Sequence, residues 1–201
     1  MSAPSLREEL LGDRPRGFRI AFPPGWRHFA VDDGGKAALL ADVAARAKAA
    51  GRPDLAVALR RKAIEQFDGL RRSRGVALYL PGEESSTDSG MPMSIVASRW
   101  RAPAGRSLES DVRARAGAEV LRIDMPHGSV LRWARERDST TTGEGVRSRS
   151  VSYVYPEPGE QPSAGVLLTA GILHLGTDET EAVTSAMVEL ADAIVETFRW
   201  S

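Results

Sequence analysis

The segment from Ala164 to Gly176, AGVLLTAGILHLG, constrains the fold more than any other part of the chain. Its apolar residues fall on both parities, with Val166, Leu168 and Ile172 on one and Leu167, Leu173 and Leu175 on the other. Successive side chains of a β-strand point to opposite faces, so both faces of this strand are apolar. Such a strand is expected in the middle of a sheet, with other elements covering each side.

Several further segments alternate in polarity and predict more strands. The first two, GFRIAF and WRHFAV, are separated by Pro23, Pro24 and Gly25, which predict a turn. Later strands are predicted in GVALYLP, PMSIVASRWR, AEVLRI, SVLRWARER and VRSRSVSYVYP. Consecutive strands joined by short turns pair antiparallel. The predicted fold class is therefore α+β, a mainly antiparallel sheet with helices on both faces, in other words an α/β/α sandwich.

Three regions have the apolar spacing of helices. Residues 36–74 predict a helical hairpin, with Gly51 and Pro53 between its two helices. The segment RSLESDVRARAG predicts a short helix. An apolar stripe that includes Met187, Leu190 and Ile194 predicts a final amphipathic helix. We interpret residues 1–201 as one domain and residues 36–74 as an insertion within it.

Two short motifs carry a resemblance to a known family. FPPGW follows the opening strand, and AIVETFRW ends the last helix. With the long run of strands between them, these motifs resemble the PsbP-like fold. That fold is shared by the PsbP subunit of photosystem II, a yeast Ran-binding import factor and a group of actinobacterial lipoproteins. The resemblance implies the sandwich, and it implies binding to other macromolecules more than any one reaction.

Composition limits the classes of partner. Lys and Arg total 27, as do Asp and Glu, so the net charge is zero. Such a chain has no overall field to attract nucleic acid, which we do not expect as a partner. No apolar run approaches the length of a membrane span, and the first twenty residues lack the apolar centre of a signal peptide. The preference for Arg and Ala suggests a bacterial source, so the predicted location is the bacterial cytoplasm.

Chemistry-bearing motifs are sparse. There is no cysteine, and the three histidines, His28, His127 and His174, do not have the spacing of metal ligands. The sequence contains no nucleophile elbow, P-loop or dinucleotide-binding glycine motif. We therefore predict no cofactor, no metal and no catalytic residue. Whether the protein is an enzyme stays open, with the balance against it.

Arginines are the most informative polar residues. We interpret a set at the second helix of the hairpin and its end as a docking surface for a protein partner: Arg60, Arg61, Arg71, Arg72 and Arg74. A solvated surface paired with local acids would have the same composition. The functional hypothesis is a non-enzymatic protein-interaction or scaffold module with an unknown protein partner. Homo-oligomerisation is left open.

Aromatic residues carry the alternative hypothesis. A cleft between sheet and helices, built from Trp26, Trp100, Trp133 and Tyr153, would bind a small molecule or hold an enzyme site. Aromatic residues at such positions more often belong to a hydrophobic core. The two hypotheses differ in whether the interior of the sandwich is filled.

Overall fold

The computed structural model describes residues 17–82, 92–125, 127–138 and 145–201. Nine strands occur in these ranges: β1 (Phe18–Arg19), β2 (Trp26–Ala30), β3 (Gly75–Pro81), β4 (Met93–Arg101), β5 (Leu121–Met125), β6 (Gly128–Asp138), β7 (Arg147–Pro156), β8 (Ala164–His174) and β9 (Arg199–Trp200). The same ranges contain four helices: α1 (Asp33–Ala49), α2 (Pro53–Arg72), α3 (Leu108–Ala116) and α4 (Asp178–Glu196).

Seven of the strands form one sheet in the order β2-β3-β4-β8-β7-β6-β5. Every neighbouring pair in this sheet is antiparallel. The short strands β1 and β9 pair with each other. The predicted α+β class with a mainly antiparallel sheet is confirmed. The segment 164–174 forms β8, the central strand, as its two apolar parities predicted.

Two helices pack against alternate residues of the same strands. Leu168 of β8 and Val195 of α4 belong to one buried cluster, and Ala170 joins Ile194 in another. The partly buried Leu167, between Val166 and Leu168, packs instead with α3. Because successive strand residues point to opposite faces, this alternation supports the predicted α/β/α arrangement.

The α1–α2 hairpin packs over β2 and β3. Leu39 of α1 and Phe67 of α2 are buried against Phe29 of β2. Leu78 and Leu80 of β3 pack on the same cluster. The helices span residues 33–49 and 53–72, close to the predicted 36–74. That this hairpin is an insertion stays a prediction, but its contacts cover the apolar side chains at one edge of the sheet.

Only one face of β8 is covered along its whole length. A row of paired residues crosses the other face of the sheet from β2 to β6: Phe29, Leu78, Val96, Thr169, Ser152 and Trp133. The hairpin covers the first two and α3 packs on Trp133. On this face Leu173 is 39% exposed, and Leu175 beyond the strand is 59% exposed. The hairpin and α3 thus pack toward the two sides of this face and leave its middle open.

The helix α4 covers one face of the sheet, and Ile194 is one of its buried contact residues. Ile194 is buried with Met93, Ile95 and Ile172. Replacing Ile194 by Ala should lower the free energy of unfolding by about 2–5 kcal/mol, because it leaves a cavity in this core. Urea denaturation followed by circular dichroism measures the change. Val183→Ala, at a residue 53% exposed, is the control and should change the free energy by less than ~0.5 kcal/mol. Equal losses from both variants would contradict the assignment of the buried stripe.

Candidate docking groove

A groove runs across the open face of β4, β8 and β7, between the hairpin and α3. It consists of two adjoining cavities of about 790 Å³ and 560 Å³, which share Trp100, Arg115 and Thr169. The floor is made of small polar and aliphatic side chains: Val96, Ser98, Ser148, Ser150, Ser152, Leu167 and Thr169. Ser152 Oγ and Thr169 Oγ1 lie 3.2 Å apart at its centre. We call this surface, with the arginines described next, the arginine groove.

Arginines from four separate segments line the arginine groove. They come from the end of α2, the end of β4, the last turn of α3, and β6: Arg72, Arg74, Arg99, Arg101, Arg115, Arg135 and Arg137. Among the described lining residues, Asp138 is the one carboxylate, and its side chain is 90% exposed and directed to Arg147 at 3.5 Å. The groove is therefore strongly cationic although the whole chain is neutral.

A buried carboxylate organises one wall of the groove. Asp111 of α3 is fully buried, and its Oδ2 accepts a hydrogen bond from Trp100 Nε1 at 3.0 Å. Its Oδ1 lies 3.0 Å from Arg115 Nε and 3.7 Å from Arg106 Nη1. The Arg115 guanidinium also lies over the Trp100 ring, 5.9 Å from its centre. Asp111 thus holds an arginine and a tryptophan together at the groove wall.

Local sequence explains where α3 begins and ends. Ser107 caps the helix by accepting a hydrogen bond from Ser110 N–H at 3.3 Å. Gly117 ends it in the left-handed conformation, with φ of 57°. A Cβ atom on Gly117 would approach Arg135 Nη2 to 2.6 Å. That nitrogen donates to the Arg115 carbonyl at 3.0 Å, so the end of α3 is joined to β6 beside the groove.

Arginines on the α4 side of the sheet are paired. Arg132 forms a two-point ion pair with Asp192, which also accepts a hydrogen bond from Tyr153 Oη at 2.7 Å. Burial, together with the bond to Asp192, raises the pKa of Tyr153. Arg149 binds Glu181 and lowers the pKa of that carboxyl group. These arginines join α4 to the sheet and are structural.

The five arginines of the predicted docking surface do not all lie on one surface. Arg72 and Arg74 line the arginine groove. Arg71 pairs with Asp33 at 2.5 Å and lies over the Phe67 ring, so it connects the two helices of the hairpin. Arg60 and Arg61 are exposed farther back on α2. Two members of the five therefore contribute to the groove.

The four residues of the predicted aromatic cleft also lie on different sides of the sheet. Trp100 and Trp133 line the groove and meet edge to face, with ring centres 6.3 Å apart. Trp26 packs with Phe22 on the α4 side of the sheet. Tyr153 is fully buried under α4. The four residues thus belong to two different surfaces, and of the tryptophan pair at the groove Trp133 is buried under α3 while Trp100 is partly exposed.

Sequence reasoning missed most of the groove. Arg135 and Arg137 are recognisable in the sequence as arginines of one strand, but nothing in it places them beside Arg115 and Asp111 of the short helix. A signal was present in RSRSVS, where Ser148, Ser150 and Ser152 recur at every second residue. That spacing marks a polar strand face in the middle of the chain's most apolar region.

Outside the arginine groove, the described residues offer fewer groups that could bind a ligand or carry out chemistry. A cavity of about 440 Å³ near His127 also contains Arg122, but this arginine is engaged by Glu109 and Ser129 at 2.9 Å each. His174 is buried and accepts a hydrogen bond from Gly176 N–H. The described residues include no group of three His, Cys, Asp or Glu placed to hold a metal ion. None of the helices in the described ranges is both long and apolar enough to cross a membrane.

Neither protein-family models nor curated proteins give a match to this chain. Its function must therefore be inferred from the geometry and charge of the groove itself.

Asp111 generates a prediction about the groove wall. Asp111→Ala should lower the free energy of unfolding by about 1–3 kcal/mol, because Trp100 Nε1 loses its acceptor and two arginines lose their carboxylate. Chemical denaturation measures this loss. Asp138→Ala, which removes an exposed carboxylate, should stay within ~0.5 kcal/mol of the wild type. A neutral effect of Asp111→Ala would contradict the organising role of the carboxylate.

Proposed function

We propose that this protein is a non-enzymatic interaction module of the bacterial cytoplasm that docks an acidic protein segment in the arginine groove. The observation that carries the proposal is the convergence of five arginines on one open sheet face, with a single exposed carboxylate among the described lining residues: Arg72, Arg74, Arg115, Arg135 and Arg137. Arginine is enriched in protein interfaces and pairs with carboxylates through two parallel hydrogen bonds. The PsbP-like resemblance, whose members mostly bind macromolecules, is retained as part of this proposal.

The wall of the groove supports binding in a fixed geometry. Arg115 is held by Asp111 through Nε and by the Trp100 ring, so it loses less freedom when it meets a ligand. The floor offers hydroxyl groups that donate to anions, while Val96 and Leu167 add apolar contact. A partner with both carboxylates and small apolar side chains would satisfy this surface.

The lining favours binding over catalysis. The hydroxyl groups of the floor are potential nucleophiles, but a nucleophile of this kind needs an adjacent base. Within the described lining, Asp138 is the one candidate base, and it is exposed and directed to Arg147. The groove therefore has many groups that attract an anion and few that could move a proton.

A small anionic ligand is the second candidate function. Trp100 and Trp133 meet edge to face beside the 560 Å³ cavity, which is within the range of about 300–1,000 Å³ for small-molecule sites. An aromatic or heterocyclic anion would place its ring against Trp100 and its charge against Arg115. This candidate corresponds to the aromatic cleft hypothesis, reduced to the two tryptophans that share the surface.

The proposal is tested by binding of a fluorescent acidic peptide of Glu and Ala residues, measured by anisotropy. Arg72→Glu with Arg137→Glu reverses one exposed charge on each side of the groove and should weaken binding at least tenfold, equivalent to ~1.4 kcal/mol. Affinity should also fall as salt is added, because exposed charges are screened. Arg115 is left intact, since a Glu at that position would stand beside Asp111.

Matched controls identify the surface and the ligand class. Arg60→Glu with Arg61→Glu reverses two exposed arginines of α2 outside the groove and should leave peptide affinity unchanged. A loss confined to this control variant would place the partner on the hairpin and contradict the groove. Citrate, pyrophosphate and single-stranded RNA serve as competitors. Tighter binding of a small anion than of the peptide would favour the second candidate, and preference for RNA would contradict both.

A further inference from the structure

The open part of the sheet face is about one helix wide. At one end of the groove α3 packs on Val154 of β7 and Leu167 of β8 as well as on β6. Beyond that end the covered strands are β3, under the hairpin, and β6, and four strand spacings separate them. At about 4.8 Å per spacing, these strands are ~19 Å apart. An α-helix with its side chains is about 10–12 Å across. The groove therefore has the width of one further helix in the layer that the hairpin and α3 form.

The floor sets the side chains that such a helix needs. Ser94, Gly171 and Ser150 form one paired row, and Val96, Thr169 and Ser152 form the next. These side chains are short, and none is a large apolar residue that would require an apolar partner. The arginines of the rim require acids. A fitting helix would therefore present small residues with carboxylates among them and no basic residue.

One helix of this chain has that surface. Along α4, exposed Glu and Ala residues recur at alternating steps of three and four: Glu179, Ala182, Ala186, Glu189, Ala193 and Glu196. This spacing places all six on one stripe, away from the buried Ile194 and Val195. The sequence of α4 contains no Lys or Arg. Of its other carboxylates, Glu181 and Asp192 already bind arginines of their own sheet.

The two complementary surfaces cannot meet within one molecule. The groove contains Thr169 and Leu167, whereas α4 packs on Leu168 and Ala170, so the two surfaces belong to opposite faces of β8. Two copies of the chain can bring them together. The net charge of zero means that association brings no overall repulsion.

We infer that the groove of one copy receives the acidic stripe of α4 from a second copy, so that the protein self-associates head to tail. This inference rests on the proposed function, since it names the acidic segment that the groove docks. The helix of 19 residues is about 28 Å long. The open floor on β8 runs from residue 169 to residue 173, about 16 Å, so roughly half of the helix would lie on it. Leu173 of β8, which is exposed and pairs with Ser148 of β7, provides an apolar contact for the alanines of the α4 stripe.

Head-to-tail contact has a geometric consequence. A two-fold dimer needs the same surface patch on both copies, whereas here two different surfaces meet. Because they lie on opposite faces, each added copy presents a free groove or a free stripe. The association therefore continues into larger rings or open chains and does not stop at a dimer. Its strength depends on salt because the contact is mainly charged.

Sedimentation velocity on the full chain tests the inference through charge exchange. The groove-reversed variant carries Arg72→Glu and Arg137→Glu, and the helix-reversed variant carries Glu179→Arg and Glu189→Arg. Wild-type protein should form species larger than a dimer at low salt and dissociate at high salt. Each variant alone should lose the large species, because the groove-reversed variant has little of its cationic charge left and the helix-reversed variant presents a basic stripe to a cationic groove. An equimolar mixture should regain association as a heterodimer, because the unchanged groove of the helix-reversed variant meets the unchanged stripe of the groove-reversed variant.

Control variants keep the test decisive. Glu65→Arg with Glu119→Arg changes two exposed acids outside α4 and should self-associate like the wild type. If the helix-reversed variant loses its circular dichroism spectrum, Glu179→Gln with Glu189→Gln replaces it and should lower the association constant at least tenfold. Monomeric wild-type protein at low salt, together with no recovery in the mixture, overturns the inference. If the acidic peptide still binds the groove in that case, the proposed function stands with another partner. Loss of peptide binding as well would remove both.

Discussion

The rest of the structure depends on the pairing of β8 with β4 on one side and β7 on the other. These ladders run along nearly the whole length of three long strands and place the most apolar segment of the chain at the centre of the sheet. On one face, Leu168, Ala170 and Ile172 form the surface on which α4 packs. On the other, the same register places Thr169 beside Ser152 and Val96, which creates the polar floor. The core and the groove are thus two consequences of one register, and a slip by one residue would exchange them.

The two faces of the sheet are used differently because the helices are distributed unevenly. A single long helix, α4, covers the central strands on one face, and Arg132 and Arg149 bind its carboxylates. On the other face, the hairpin packs over one edge and α3 over the opposite side. Small polar residues occupy the uncovered strip, so its exposure costs little hydrophobic free energy. An opening of this kind is stable without a ligand and is still available for one.

Charge is separated within a chain that is neutral as a whole. Arginines on the α4 side are paired with acids of the helix, whereas those on the groove side have Asp111 and Asp138 as their nearest carboxylates among the described lining and wall residues. The outer stripe of α4 has the opposite charge. A net charge of zero excludes a strong overall field, but it does not exclude two strong local fields of opposite sign. This separation is the physical basis of both the docking proposal and the head-to-tail inference.

Local patterns in the sequence determined the elements. The alternation in β3 to β8, the hairpin helices and the stripe of α4 were all predicted close to their observed positions, because strand and helix periods are local properties. The central position of β8 followed from its two apolar parities. The exposure of Leu173 did not follow, because the pattern of one strand cannot say which neighbours cover it. Only the tertiary structure decided that Arg72, Arg115 and Arg137, from three distant segments, share one groove, whereas Trp26 and Tyr153 do not. Such convergence depends on strand order and register across the whole sheet, which are set by long-range packing.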